Sequence, residues 1–133
     1  LTLGSRREAR RIAIDILYQA DLTGAAPADV VGGWVEAGSD VPGFARELVE
    51  GVDADSPQID LLLEEHAEGW TVARMAALDR TILRVAVHEL LKGEVPASVA
   101  ISEAVEAAAE LSSGESKGFV NGILGRIARE LSL

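Results

Sequence analysis

Residues 78–91, LDRTILRVAVHELL, leave a helix almost no polar face. Ile82, Leu83, Val85, Ala86, Val87, Leu90 and Leu91 cover most of its circumference. Arg80, Arg84 and His88, spaced four apart, share one narrow polar strip. A helix apolar on nearly every side has to be covered by several neighbours. The run is too short to cross a membrane, which takes about 20 apolar residues. The segment therefore predicts the central helix of a soluble bundle, with Asp79 in its first turn, Lys92 in its last and Gly93 as its stop.

The flanking segments supply the cover. Residues 5–21 read as a first helix with Ser5 and Glu8 as a capping box and Gly24 as the stop. Ala9, Ala13, Ile16, Leu17 and Ala20 form its inward stripe. Pro27 opens a short helix to residue 35, which Gly32-Gly33 weakens by roughly 1 kcal/mol per glycine. Residues 41–52 predict a helix with Phe44, Leu48 and Val49 inward. Ser56-Pro57 reads as an N-cap followed by proline, opening a helix to about residue 68. Residues 71–75 read as a helical turn. Residues 99–112 predict a helix with Ile101, Val105, Ala108 and Leu111 as its stripe. Ser116 is expected to cap a last helix to about residue 131, with Val120, Ile123, Leu124, Ile127 and Leu131 inward. Gly118, Gly122 and Gly125 within it point to close helix packing or a close partner. No alternating strand pattern or internal repeat appears, so the reading is all-α with about seven helices.

Composition narrows the chemistry. The 133 residues suit one domain with a real core. Aromatics are only 4%, so that core is aliphatic. There is no cysteine, which excludes disulfides and thiolate chemistry, and two histidines, His66 and His88, exclude a His-rich metal site. H-E at 88–89 is not followed by x-x-H, and no G-x-S-x-G, P-loop or G-x-G-x-x-G occurs. No signal peptide or transmembrane run is visible, which favours the cytoplasm. The chain starts on Leu1 instead of Met, so a native start upstream is expected. The net charge is −10, yet residues 1–11 hold four arginines against Glu8, a net +3 that leaves −13 on the other 122 residues. An acidic body disfavours non-specific nucleic-acid binding, whereas a local basic cluster keeps its own reach of about 8 Å.

Two stretches point to function. Arg7, Arg11 and Tyr18 share a face of the first helix, and Arg6 and Arg10 extend its basic edge. Arginine forks match phosphates, and an aromatic ring stacks on bases. The bland reading is a solvated helix start with Glu8 as intrahelical partner, although four arginines there oppose the helix dipole. The second stretch is ESKGFVNG, residues 115–122. Ser116 and the free N–H groups of the helix start suit a phosphate. Its bland reading is a capped helix whose Phe119 fills a core edge.

Taken together, R-R-E-A-R-R…I-L-Y-Q, LDRTILRVAVHELL, VPASVAISEAVEAAAEL and FVNGILGRI resemble the NusB family, in the right order and over most of the chain. The resemblance implies two three-helix subdomains within one domain, an N-terminal half of about residues 1–70 and a C-terminal half of about 71–133. It implies a transcription antitermination factor, with no catalytic role and no cofactor. Such proteins bind boxA RNA of ribosomal RNA leaders together with NusE, a small-subunit ribosomal protein, and act on RNA polymerase with NusA and NusG. By matching motif, Arg7, Arg10, Arg11 and Tyr18, with Ser116, Lys117 and Phe119, become expected RNA contacts. Asp79 and Arg80 become candidates for the NusE-facing surface.

The chain departs from the family where basic residues are common: Ala97, Ser98, Ala108, Ala109 and Gly118 stand there. The thinner basic footprint predicts weak RNA binding alone and strong dependence on the partner. A rival reading is a protein-interaction module, a possible homodimer, whose acidic body attracts a basic partner. A further one is the NusB-like accessory domain of an RNA methyltransferase, which requires a longer catalytic domain beyond this region.

Overall fold

The computed structural model describes residues 3–133. They form seven α-helices and one 310 turn: α1 (Leu3–Thr23), α2 (Pro27–Glu36), α3 (Gly43–Ala54), α4 (Ser56–His66), the 310 turn (Val72–Arg74), α5 (Ala77–Lys92), α6 (Ala97–Leu111) and α7 (Ser116–Glu130). As its apolar circumference requires, α5 is enclosed, touching α1, α3, α4, α6 and α7. Every residue from Thr81 to Leu90 except Arg84 is buried. One group of helices is α1, α2 and α3; the other is α5, α6 and α7. α4 packs chiefly onto α5 and α7. The core joining them is aliphatic, as the scarcity of aromatics predicts.

The polar strip of α5 ties three different helices to it. Arg80 Nε donates to Asp21 Oδ2 of α1 at 2.7 Å. Arg84 makes a two-pronged pair with Asp60 of α4, at 2.9 and 3.0 Å. His88, 7% exposed, lies against α3 where that helix carries Gly51, and a Cβ at Gly51 would overlap the imidazole ring. Burial pushes the His88 pKa below its ordinary value, against the pull of Asp55. Its Nδ1 lies 3.9 Å from Asp55 Oδ2 and has no hydrogen-bond partner among the described residues.

Several local expectations are corrected. α1 starts at Leu3, so Ser5 and Glu8 stand inside the helix instead of boxing its start. Ser56 occupies the first position of α4, after Asp55, and no side chain caps that helix. In α6 the buried face is Ala100, Glu103, Ala104, Ala107 and Ala108, while Leu111 is 41% exposed. Of the expected stripe, Ala108 is fully buried, and Ile101 and Val105 pack half-buried against the core. The glycines of α7 do not mark a close helix crossing: Gly118 faces open space, and a Cβ at Gly122 or Gly125 would meet only the side chains of Arg126 or Arg129. The α7 stripe itself is as its period predicts, with Val120, Ile123, Leu124 and Ile127 fully buried.

Candidate nucleic-acid interface

The first turns of α1 point their arginines at α6 across a groove floored by Ile82, Val85 and Ala86 of α5. On the far side, Glu103, Glu106 and Glu110 recur at helical spacing and present a row of carboxylates. Arg7 Nε and Nη2 donate to Glu103 at 3.1 and 2.9 Å, and Glu106 stands 3.6 Å away. Arg11 Nη1 donates to Glu110 Oε2 at 2.7 Å. The Glu103 bond raises the Arg7 pKa above its ordinary value, and the Arg11 bond lowers that of Glu110. Arg7 is 46% exposed, Glu106 51% and Glu110 56%, so this rim is open to water.

Arg10 does not sit on that rim. It is 4% exposed, with Nε and Nη2 donating to Glu89 at 2.8 and 2.9 Å and Nη1 to Glu103 at 3.4 Å. Where a direct RNA contact is expected of Arg10, the structure shows its guanidinium enclosed and neutralising two buried carboxylates. The guanidinium of Arg6 lies over the Phe44 ring at 4.8 Å, a cation–π contact. Tyr18 is half-buried farther along α1.

The start of α7 divides in the same way. Ser116 is buried, and its hydroxyl donates to Asp79 Oδ2 at 3.0 Å instead of capping α7. Ser112 donates to the other Asp79 oxygen at 2.7 Å. Asp79 therefore bolts the α6–α7 turn to the start of α5. In this arrangement the Ser116 hydroxyl and the Asp79 carboxylate, 4% and 9% exposed, are engaged with each other inside the fold. Arg80 is also engaged: besides Asp21, its Nη1 donates to the carbonyls of Met75 and Ala73, at 3.0 and 3.4 Å. Its side chain keeps 18% exposure.

Lys117 is exposed and Phe119 half-buried. The Phe119 ring meets Trp70 edge to face, with centroids 6.0 Å apart and planes at 70°. Arg74 lies over the Trp70 ring at 5.6 Å, and Trp70 is 46% exposed. The sequence reading passed over Trp70 and Arg74, and over the row Glu103, Glu106, Glu110. The i, i+3, i+7 spacing of the three glutamates was a usable signal, as was one of only two tryptophans following a stop glycine. Among the described residues no cluster of acidic and histidine side chains is placed to hold a metal ion, and no helix is long and apolar enough to cross a membrane.

Comparison with known proteins fits this geometry. A family model described as the NusB family matches residues 7–129, from the arginine rim to the end of α7. The transcription antitermination protein NusB of Saccharopolyspora erythraea is 50% identical over 131 residues, spanning 95% of this chain and 88% of that protein. The NusB structure of T. maritima superposes with a TM-score of 0.86 at 32% identity, covering 94% of this chain and 91% of that one. A chain from the crystal structure of the antitermination factors NusB and NusE in complex with dsRNA superposes with a TM-score of 0.85, covering 97% of this chain and 99% of that one. At 24% identity that likeness speaks for the fold alone.

Proposed function

The chain belongs to the NusB family, and on that premise we propose that it acts in transcription antitermination by binding boxA RNA of ribosomal RNA leaders together with NusE. The family match across the whole helical fold carries this reading. Proteins of this family are not enzymes. Arg7 and Arg11 on the open rim, Tyr18 beyond them, and Lys117 and Phe119 at the start of α7 are the groups that meet RNA. Arg10 and Ser116 hold those groups in place from inside. The NusE-facing surface lies near the start of α5, where Arg80 is still partly exposed, and the assembly acts on RNA polymerase with NusA and NusG.

The pairing of the rim supports weak binding alone and strong dependence on the partner. A phosphate reaching Arg7 or Arg11 has to displace a carboxylate, so the free energy gained is a difference between two similar interactions. The test is fluorescence anisotropy with a labelled boxA-like RNA at two salt concentrations, with and without NusE. Binding enhanced by NusE is expected, and Arg7→Ala/Arg11→Ala should flatten the salt slope by roughly 0.7 per lost contact for a single strand. No RNA binding even with NusE present would sink this reading and favour a protein-interaction module.

A further inference from the structure

We propose that Trp70 and Arg74, together with Phe119, form a stacking site for an unpaired RNA base, with Lys117 beside it for the adjoining phosphate. The inference rests on the RNA-binding reading and adds two residues that the family motifs did not point to. It starts from a contrast in charge. On α1, Arg7, Arg10 and Arg11 each meet a carboxylate. Among the described residues, neither Arg74 nor Lys117 has a carboxylate within ion-pairing distance, and both are exposed. Glu64, the acid that touches the 310 turn, is turned to the Val72 N–H at 3.1 Å. Arg74 on the indole, and Lys117 two residues before Phe119, are thus open to a new anion, whereas Arg7, Arg10 and Arg11 are already engaged.

The geometry suits a base. Phe119 meets the indole in a T-shaped contact, and Trp70 still keeps 46% exposure. Arg74 stands 5.6 Å over the ring, farther than the about 3.5–4.0 Å of direct carbon contact, so the pair is loose. Indole and guanidinium are both flat groups on which bases stack. A base entering between them replaces the loose Arg74–Trp70 contact with two stacked faces, one on the indole and one on the guanidinium. The 310 turn is anchored from below, since Arg80 bonds the Ala73 and Met75 carbonyls on either side of Arg74. The same Arg80 pairs with Asp21 of α1, which links the turn to the helix that bears Tyr18.

The experiment uses Trp34→Phe protein, in which Trp70 is the only indole. With NusE present, boxA-like single-stranded RNA is titrated while Trp70 emission and the anisotropy of labelled RNA are followed in parallel. Quenching that saturates at the anisotropy midpoint is expected. Trp70→Ala should weaken RNA binding about tenfold, with Trp70→Phe retaining most of the affinity and the salt slope unchanged in both. The emission readout needs no change at Trp70, so it stands even where Trp70→Ala fails to fold. RNA binding with unaltered Trp70 emission would overturn the stacking site and leave the RNA-binding reading intact. A response to NusE alone, with none on adding RNA, would assign the patch to a protein contact and overturn it too. No RNA binding by anisotropy would overturn both.

Discussion

Arg10→Ala separates a structural arginine from an RNA-binding one. In the fold, Arg10 is the only hydrogen-bonding partner of the buried Glu89 carboxylate among the described residues, through bonds of 2.8 and 2.9 Å. Glu103 also loses Arg10 but keeps both bonds from Arg7. The penalty therefore falls on Glu89, whose side chain is 6% exposed and would be left as an unpaired charge. Breaking a buried pair by removing one partner costs about 3–5 kcal/mol. That is a large part of the roughly 5–15 kcal/mol that holds a domain of this kind folded. Urea unfolding followed by circular dichroism measures the loss. Adding Glu89→Gln removes the orphaned charge, so the double variant should recover part of it. Where the Arg10→Ala protein is folded, the salt slope of its RNA binding should match that of the unsubstituted protein. A loss below about 1 kcal/mol, or a double variant no more stable than the single one, would refute the buried pair.

Two further outcomes follow from the same geometry. Replacing the exposed acids of the rim, Glu106→Gln/Glu110→Gln, removes the carboxylate that Arg11 bonds and the one beside Arg7, and should tighten RNA binding a few-fold with the salt slope little changed, because the same two arginines meet phosphate; unchanged anisotropy titrations would mean that these carboxylates do not compete with phosphate. His88 should make stability fall in mild acid. Burial holds its folded pKa below the unfolded value of about 6.5, so below that pH the unfolded chain binds the extra proton. Stability is therefore full above about pH 6.5 and declines as pH drops towards the folded pKa. Unfolding free energies between about pH 5 and 7 should show that slope, and His88→Gln should flatten it; an identical slope in the variant would show that another group titrates.

The elements were legible wherever one face of a helix was uniformly apolar. α5 announces itself by being apolar on nearly every side, and it is buried almost throughout; α7 does so because Ile, Leu and Val recur at the helical period, and its burial follows that period. α6 is only partly legible: Ala108 of the expected stripe is fully buried, Ile101 and Val105 pack half-buried on the core, and most of the buried face is alanine. A stripe of Ala100, Ala104, Ala107 and Ala108 carries little hydropathy, so Ile101 and Val105 drew the eye. Close approach of two backbones is rewarded through many small contacts, which no single residue advertises. Helix starts misled for a related reason. Ser56 and Ser116 have the chemistry of caps, but at Ser116 a buried carboxylate outbid the helix end for the hydroxyl. Asp79 is 37 residues away in sequence, and such a pairing is set by the fold.

The site shows the same division, with consequences for mechanism. The arginine cluster is plain in the sequence, but what Arg7 and Arg11 meet depends on α6, more than 90 residues on, and what Arg10 meets on Glu89 of α5 as well. Across the groove, the acids differ in their freedom. Glu106 and Glu110 are half in water and can swing away when a phosphate arrives. Glu89 and Glu103 are buried, so they cannot leave Arg10 without stranding charge. Arg11 is thus exchangeable, Arg7 is 46% exposed and can itself swing off Glu103 while Arg10 still holds that carboxylate, and Arg10 is fixed. α1 then contributes about 1.4 to the salt slope, from two exchangeable arginines, where three free ones would give about 2.1. A protein of net charge −10 with so small an electrostatic grip on RNA has to draw its affinity from contacts that salt does not screen. Base stacking and a bound protein partner are contacts of that kind, which is why the dependence on NusE and the Trp70 surface belong to one mechanism.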